Sequence, residues 1–268
     1  MLGLHIRTLR YEKNYFVIMK KITLLCVGNT HHSLMKKSID ISLRAIETEC
    51  EEVLHITDRQ TNDRGLILSN TFDIDQYNKL IVKELSGLIK TEFVMIIQYD
   101  GMAVNNKYWT NEFYNYDYIG APWPDRFTWI EDSEKVGNGG FSLRSAKLLD
   151  VLTDDSIRFH NDNPRFKNED AVICQGYSEY LKRKYKIKYA TSSLANKFSH
   201  EWCNPTGKTF GFHGVWNTPL YFKEDEVVNF IQEIPKSHWL DDKRQMFFQN
   251  CRSKGYLRAI RKYSEIYE

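Results

Sequence analysis

The run from Ile22 to Val27, ITLLCV, is apolar and rich in strand-favouring residues, and it ends in Gly-Asn-Thr. Apolar residues then return with helical spacing at Leu34, Ile39, Leu43 and Ile46. A strand, a turn and a helix in that order predict the opening of an α/β unit. Val53 to Thr57 reads as a second short strand. From Asp73 to Leu88 the apolar positions Ile74, Tyr77, Ile81, Leu85 and Leu88 recur at three- and four-residue steps, which predicts a second helix. Phe93 to Ile97, FVMII, contains no polar residue and is bounded by polar ones. A strand covered on both faces has that pattern, so this one is expected at the centre of the sheet.

The pattern is less regular further on. Residues 108–129, YWTNEFYNYDYIGAPWPDRFTW, are dense in aromatic rings, and the interleaved Asp, Asn and Pro argue against a long regular element. AKLLDVL (146–152) and EDAVICQGYSEYLKRK (169–184) read as helices, and YKIKYAT, Tyr185 to Thr191, as a returning strand. Beyond Lys223 the pattern is helical to the end. The expected organisation is an α/β domain over residues 20–222 and a helical appendage over 223–268, with no internal repeat. Because Met19 stands just before two lysines and the first strand, residues 1–19 are expected to be an extension outside the fold.

The chain has 268 residues, long enough to bury a sizeable core. Its 37 Lys and Arg nearly balance 35 Asp and Glu, for a net charge of +2. Nucleic acid is therefore not an expected partner, since backbone binding needs a basic stripe that displaces counterions. KGYLRAIRKY near the C-terminus is the local exception, either a solvated helix face or a weak footing on an anionic membrane. Five scattered cysteines (Cys26, Cys50, Cys174, Cys203 and Cys251) form no CxxC pair, which argues against a disulfide framework and fits a reducing compartment. No apolar run is long enough to span a bilayer, and the N-terminus lacks a secretory pattern, so a cytoplasmic location is expected.

Four short stretches carry candidate chemistry. QYDG, Gln98 to Gly101, sets Asp100 at the carboxyl edge of the central strand, where open α/β sheets bind ligands; an Asp-Gly turn is the simpler reading. The aromatic segment suits either sugar and base faces or ordinary packing. VGNGGFSLRS, Val136 to Ser145, spends three glycines where a ligand would lie against bare backbone, or where a tight turn needs positive φ. Glu169 and Asp170 open a helix that Asn168 can cap, a common place for carboxylates with no catalytic duty.

Together DYIGAPW (117–123), VGNGGFSLRS, Glu169-Asp170 and GFHGVW (211–216) resemble a family of glycosyltransferase-like proteins catalogued as a domain of unknown function. More broadly the chain is similar to nucleotide-sugar-dependent glycosyltransferases of the GT-A fold, from about Phe93 to Trp216. The resemblance implies an α/β fold with a single mixed central sheet flanked by helices and a C-terminal helical appendage. It implies a divalent metal, Mn²⁺ or Mg²⁺, held by Asp100 and by His213, against the diphosphate of a nucleotide-sugar donor, a UDP-sugar first among candidates. The family's Asp-x-Asp motif appears here as Gln98-Tyr99-Asp100, so a metal-independent site stays open. Asp170 is implied as the general base of an inverting transfer to a carbohydrate acceptor, as in surface-glycan synthesis, and Glu169 as a ligand of donor or acceptor hydroxyls. Asn29 and Thr30 are expected near the nucleoside, Trp123 and Asn138 near the sugar. Gly139 and Gly140 are expected as the bare floor beneath that sugar, and Arg144 as a cation for the phosphates.

Two other classes remain. A non-catalytic carbohydrate-binding protein would explain Gln98 but not the retention of Asp100, Asp170 and His213 together. A nucleotidyltransferase would need a basic phosphate loop after the first strand, which VGNTHH does not supply.

Overall fold

The computed structural model describes residues 22–60, 66–68, 73–127, 130, 135–160, 162–203, 205, 207–239 and 241–268. The expected N-terminal extension lies outside the described residues, as does Trp129 of the aromatic segment. The described strands are β1 (Ile22–Val27), β2 (Cys50–Thr57), β3 (Leu66–Leu68), β4 (Phe93–Ile97), β5 (Gly101–Ala103), β6 (Tyr118–Gly120), β7 (Ser142–Ser145) and β8 (Gly211–His213). Six of them form one sheet in the order β3-β2-β1-β4-β7-β6. β3, β2, β1 and β4 run parallel, and β7 pairs antiparallel with both β4 and β6. The expected mixed central sheet flanked by helices is therefore present.

Both faces of β1 and β4 are covered, as their unbroken apolar character requires. Leu25, Val27, Val94 and Ile96 pack with Tyr77, Ile81 and Leu85 on one side. Leu24, Cys26, Met95 and Ile97 pack on the other with Met35 and Ile39 of α1 (His32–Ala45) and with Phe141, Phe198 and Phe210. The second predicted helix begins as α2 (Ile74–Lys79), fastened by a reciprocal cap between Asp73 and Gln76. It then widens to a π turn over Leu80–Glu84 and tightens to a 3-10 turn over Leu85–Gly87. Ile74 is exposed, because it precedes the face that meets the sheet.

Three short strands of the six-stranded sheet escape the sequence reading, as do β5 and β8 of the separate ribbon. β3 and β6 have three residues each, and β7 reads Ser-Leu-Arg-Ser although it sits between two neighbours. The aromatic segment forms 3-10 turns over Asn106–Tyr108 and Asn111–Asn115 and then enters β6. Most of its described rings pack into the core, Tyr108 being exposed: Phe113 and Tyr118 are buried, and Trp109 meets Phe113, Tyr114 and Phe210 edge-on at 5.1–5.4 Å.

AKLLDVL is α3 (Ala146–Leu152), capped by Ser145. The second long helix of that half is broken: α4 (Glu169–Ala171) passes into a π turn over Val172–Gly176, and α5 (Ser178–Tyr185) follows. The strand expected from Tyr185 is not one. Lys186 ends α5 in the left-handed region, and the following extended residues make a single bridge, Tyr189 to Tyr118. α6 (Ser192–Phe198) leads towards β8.

The C-terminal helices are α7 (Glu224–Glu233), α8 (Asp241–Lys254) and α9 (Leu257–Tyr267). Their Val227, Phe230, Phe247 and Tyr263 share one core with Leu34 of α1, Met102 of β5 and Phe212 of β8. The helical segment is thus built onto the small β5–β8 ribbon. Among the described residues no helix is long and apolar enough to cross a membrane, and all five cysteines are free thiols.

Candidate active site

The chain leaves β1 towards β2 and returns from β2's side to β4, so a crevice opens between the carboxyl ends of β1 and β4. A cavity of about 250 Å³ lies there. Asn29 and Thr30 line it as expected, joined by Met35, Ile74, Tyr77 and Tyr99, which the sequence reading did not single out. Gln98 lines it as well and extends the crevice towards Asp100.

QYDG is both a tight turn and a site. Gln98 and Gly101 exchange backbone hydrogen bonds at 3.0 and 3.2 Å, which leaves Tyr99 and Asp100 at the corner. β5 then pairs antiparallel with β8, Gly101 opposite His213. That register brings His213 Nε2 to 3.5 Å from Asp100 Oδ1 and 3.2 Å from Gln98 Oε1, across more than a hundred residues of sequence. On its other edge Nδ1 faces Glu201 Oε1 at 3.1 Å. Burial opposes a charge on His213, but Asp100 and Glu201 outweigh it and push its pKa up to about 10. Burial likewise raises the Asp100 carboxyl, and His213, with Lys243 further off, more than reverses this, so its pKa is lowered.

These groups fit a small hard cation in a particular way. Among the described residues no three His, Cys, Asp or Glu side chains gather as a metal centre. A third candidate donor is the amide oxygen of Gln98, which like Asp100 Oδ1 lies within 3.5 Å of His213 Nε2, a nitrogen–oxygen set of the kind that suits Mn²⁺ or Mg²⁺. The Glu201 carboxylate behind Nδ1 is the outer partner that metal-bound histidines commonly have. Asp100, His213 and Gln98 would hold the ion.

The glycine motif supplies the wall beside this cluster, for a reason other than the expected one. A Cβ on Gly139 would fall 1.5 Å from Glu169 Oε1, and one on Gly140 would fall 2.2 Å from His213 Nε2. These glycines make room for two of the protein's own side chains rather than forming the bare floor under a sugar. The positive φ of the turn belongs to Asn138, at 60°. Its side-chain amide donates to Glu201 and faces His213 Nδ1 at 3.1 Å, and it is buried. Asn138 Oδ1 has no partner among the described residues, which leaves one acceptor unspent beside the cluster.

Glu169 and Asp170 face different environments. Glu169 is 5% exposed, and Arg144, fully buried on β7, meets its carboxylate at 2.8 Å. Burial lifts the Glu169 carboxyl to about 7 against the pull of Arg144, with Asp170 adding to the lift. Arg144 also lies 5.1 Å from the Tyr118 ring centre and donates through Nε to Ser142. The expectations that Glu169 holds donor or acceptor hydroxyls and that Arg144 meets phosphates are corrected here: each neutralises the other inside the fold. Asp170 stays half-exposed, taking a hydrogen bond from Gly139 N–H on Oδ2 at 3.2 Å and from Ala171 N–H on Oδ1 at 2.8 Å. Asn168 adds no side-chain cap. Asn78 holds the turn instead, accepting from Glu169 N–H and donating to Lys167 O. Trp123 is also a packing residue, its indole closing on Gly137.

Behind His213 the chain is fixed by His200, whose carbonyl accepts the His213 N–H. His200 is 1% exposed, with Nε2 2.6 Å from Tyr221 Oη and Nδ1 3.2 Å from Cys203 O. Burial pulls its pKa down to about 4, against the Cys203 carbonyl. An unfolded histidine takes its proton near 6.5, so the stability this residue contributes is complete above 6.5 and is lost as pH falls from 6.5 through 4. The loss should total roughly 3 kcal/mol. Because Glu169, lifted to about 7, titrates with the opposite sign over the same range, the decline should appear as a fall, from pH 7 to 4, in the urea stability of the wild type relative to His200→Gln.

Residues 66–213 match the family model described as Protein of unknown function (DUF5672). The chain belongs to that family. A search of curated proteins finds no match for this DUF5672 member. Solved structures similar to it include the mannosyltransferase PcManGT from Pyrobaculum calidifontis in complex with GDP-Man and Mn²⁺, at 10% identity and a TM-score of 0.44, covering 93% of this chain and 74% of that one. Another is a glycosyltransferase involved in the glycosylation of the major capsid of PBCV-1, at 13% identity and 0.46, covering 72% and 92%. A third is the apo-form glycosyltransferase GlyE of Streptococcus pneumoniae TIGR4, at 9% and 0.44, covering 88% and 64%.

Proposed function

We propose that this DUF5672 protein is a glycosyltransferase of the GT-A type, moving a sugar from a nucleotide-sugar donor to a hydroxyl of a carbohydrate acceptor. One observation carries the reading: Asp100, His213 and Asp170 converge beside the Gly139–Gly140 backbone, and Gln98, which faces His213, also lines the crevice between β1 and β4. The crevice takes the nucleoside, with Asn29, Thr30 and Tyr99 around it. Asp100, His213 and Gln98 hold a Mn²⁺ or Mg²⁺ ion, which supplies Lewis-acid neutralisation of the diphosphate. Glu201 and Asn138 keep the His213 ring turned to that task.

The transfer itself needs a base. As the acceptor oxygen forms its bond to the anomeric carbon, its proton passes to the Asp170 carboxylate. The bond from that carbon to the diphosphate breaks, and its electron pair leaves on the phosphate oxygen. Attack opposite the leaving group inverts the anomeric centre. Half-exposed and free of any cation in the structure's ion pairs among the described residues, Asp170 can reach an acceptor where Glu169 cannot.

Release of nucleoside diphosphate from UDP- and GDP-sugars, with Mn²⁺ and a panel of saccharide acceptors, tests the proposal. Acceptor-dependent release is expected; sugar binding without release from any donor would replace it with a binding role. Asp100→Ala should weaken Mn²⁺-dependent binding of the donor nucleotide by at least about tenfold and leave metal-free binding unchanged, as calorimetry would measure.

A further inference from the structure

With Arg144 spent on Glu169, any side-chain cation that shares with the metal the charge developing on the leaving diphosphate must come from elsewhere. α8 brings one. Lys243, in its first turn, is half-buried, with its ammonium 5.0 Å from the ring centre of Trp216 and 5.9 Å from that of Trp202. The two indoles lie 4.7 Å apart and form the back of the cluster. Trp216 Nε1 donates to the Glu201 carbonyl at 3.2 Å, and the Glu201 carboxylate holds His213, which faces Asp100.

The position is fixed rather than carried by a loose tail. Asn250 of α8 donates to the Trp216 carbonyl at 3.0 Å, and Phe247 and Cys251 are buried in the same core as Trp216. Several other lysines of the described surface are matched with carboxylates, such as Lys36 with Asp40, Lys79 with Glu84 and Lys182 with Glu179. Among the described residues Lys243 has no carboxylate at ion-pair distance; it rests on the two indole faces and, at longer range, feels the field of Asp100. An ammonium resting on aromatic faces has shed part of its water, so it costs less to bring against an anion.

We propose that Lys243 is the residue that meets the donor's diphosphate and takes up the negative charge left on it when the bond to the sugar breaks. The C-terminal helices then complete the site as well as packing against it. This rests on the glycosyltransferase reading, and the experiment separates the two. Binding of UDP, GDP, uridine, guanosine and inorganic pyrophosphate is measured on the full chain by calorimetry, for the wild type and for Lys243→Met, Lys243→Gln and Lys243→Arg.

The expected result is a loss of about tenfold or more in nucleoside diphosphate and pyrophosphate affinity in the Met and Gln variants. Nucleoside affinity should be unchanged in both, and the Arg variant should recover most of the loss. Equal diphosphate affinity in wild type and Lys243→Gln overturns the proposal, as does an equal loss for nucleosides, which would make Lys243 a packing residue. If pyrophosphate binds through Lys243 but no nucleotide binds, the anion site stands and the transferase reading falls. If the wild type binds none of the probes, both fall.

Discussion

Replacing Asp170 by Asn is expected to lower sugar transfer by about 10²–10⁴-fold while donor affinity stays within about twofold of wild type. The substitution keeps the size of the side chain and one of its two oxygens, enough to accept from Gly139 N–H or Ala171 N–H but not from both. What it removes is the capacity to accept a proton from the acceptor hydroxyl, a step that enters only after both substrates are bound. The loss should therefore appear in kcat with little change in the donor's KM. Glu169→Gln supplies the contrast. Its carboxylate is buried against Arg144, so its loss should show in stability before chemistry. Transfer by the Asn variant at the wild-type rate would remove Asp170 from the mechanism.

Arg144→Met should destabilise the fold by roughly 3–5 kcal/mol, because it leaves the Glu169 carboxylate buried beneath Gly139 without its counter-charge. In a chain of this size that corresponds to a fall in Tm of roughly 10 °C. The double variant Arg144→Met/Glu169→Gln should recover most of the loss, since the penalty lies in the unpaired charge rather than in the missing contact. Thermal and urea denaturation of the four proteins in that cycle would measure the coupling. Additive losses would show that the two residues do not act as a pair.

The same pair shows why the site was only partly legible in sequence. VGNGGFSLRS and Glu169-Asp170 stand out as motifs, and the structure joins them through the hydrogen bond from Gly139 N–H to Asp170. Yet nothing in spacing tells which of two adjacent carboxylates turns inward; the packing of β7, with Arg144 on its buried side, decides that. Asp100 was visible at the end of an apolar run and His213 among the glycine and aromatic residues of GFHGVW, and only the Gly101–His213 register makes them neighbours. Glu201 carried no signal at all, lying in an irregular stretch with no periodicity, and it matters only through the His213 ring it touches. Lys243 likewise reads as one basic residue of an amphipathic helix until α8 is docked on Trp216.

The order of apolar blocks was enough by itself to determine that β4 would be covered on both faces, that α1 would follow the first strand and that helices would close the chain. Burying apolar area is a property that each segment largely carries in its own pattern. Tertiary structure alone decided the short strands β3, β6 and β7, the inward turn of Glu169 and the glycines' true neighbours. Those outcomes depend on which polar groups find partners once buried, and a polar group's partner in this protein lies tens to more than a hundred residues away.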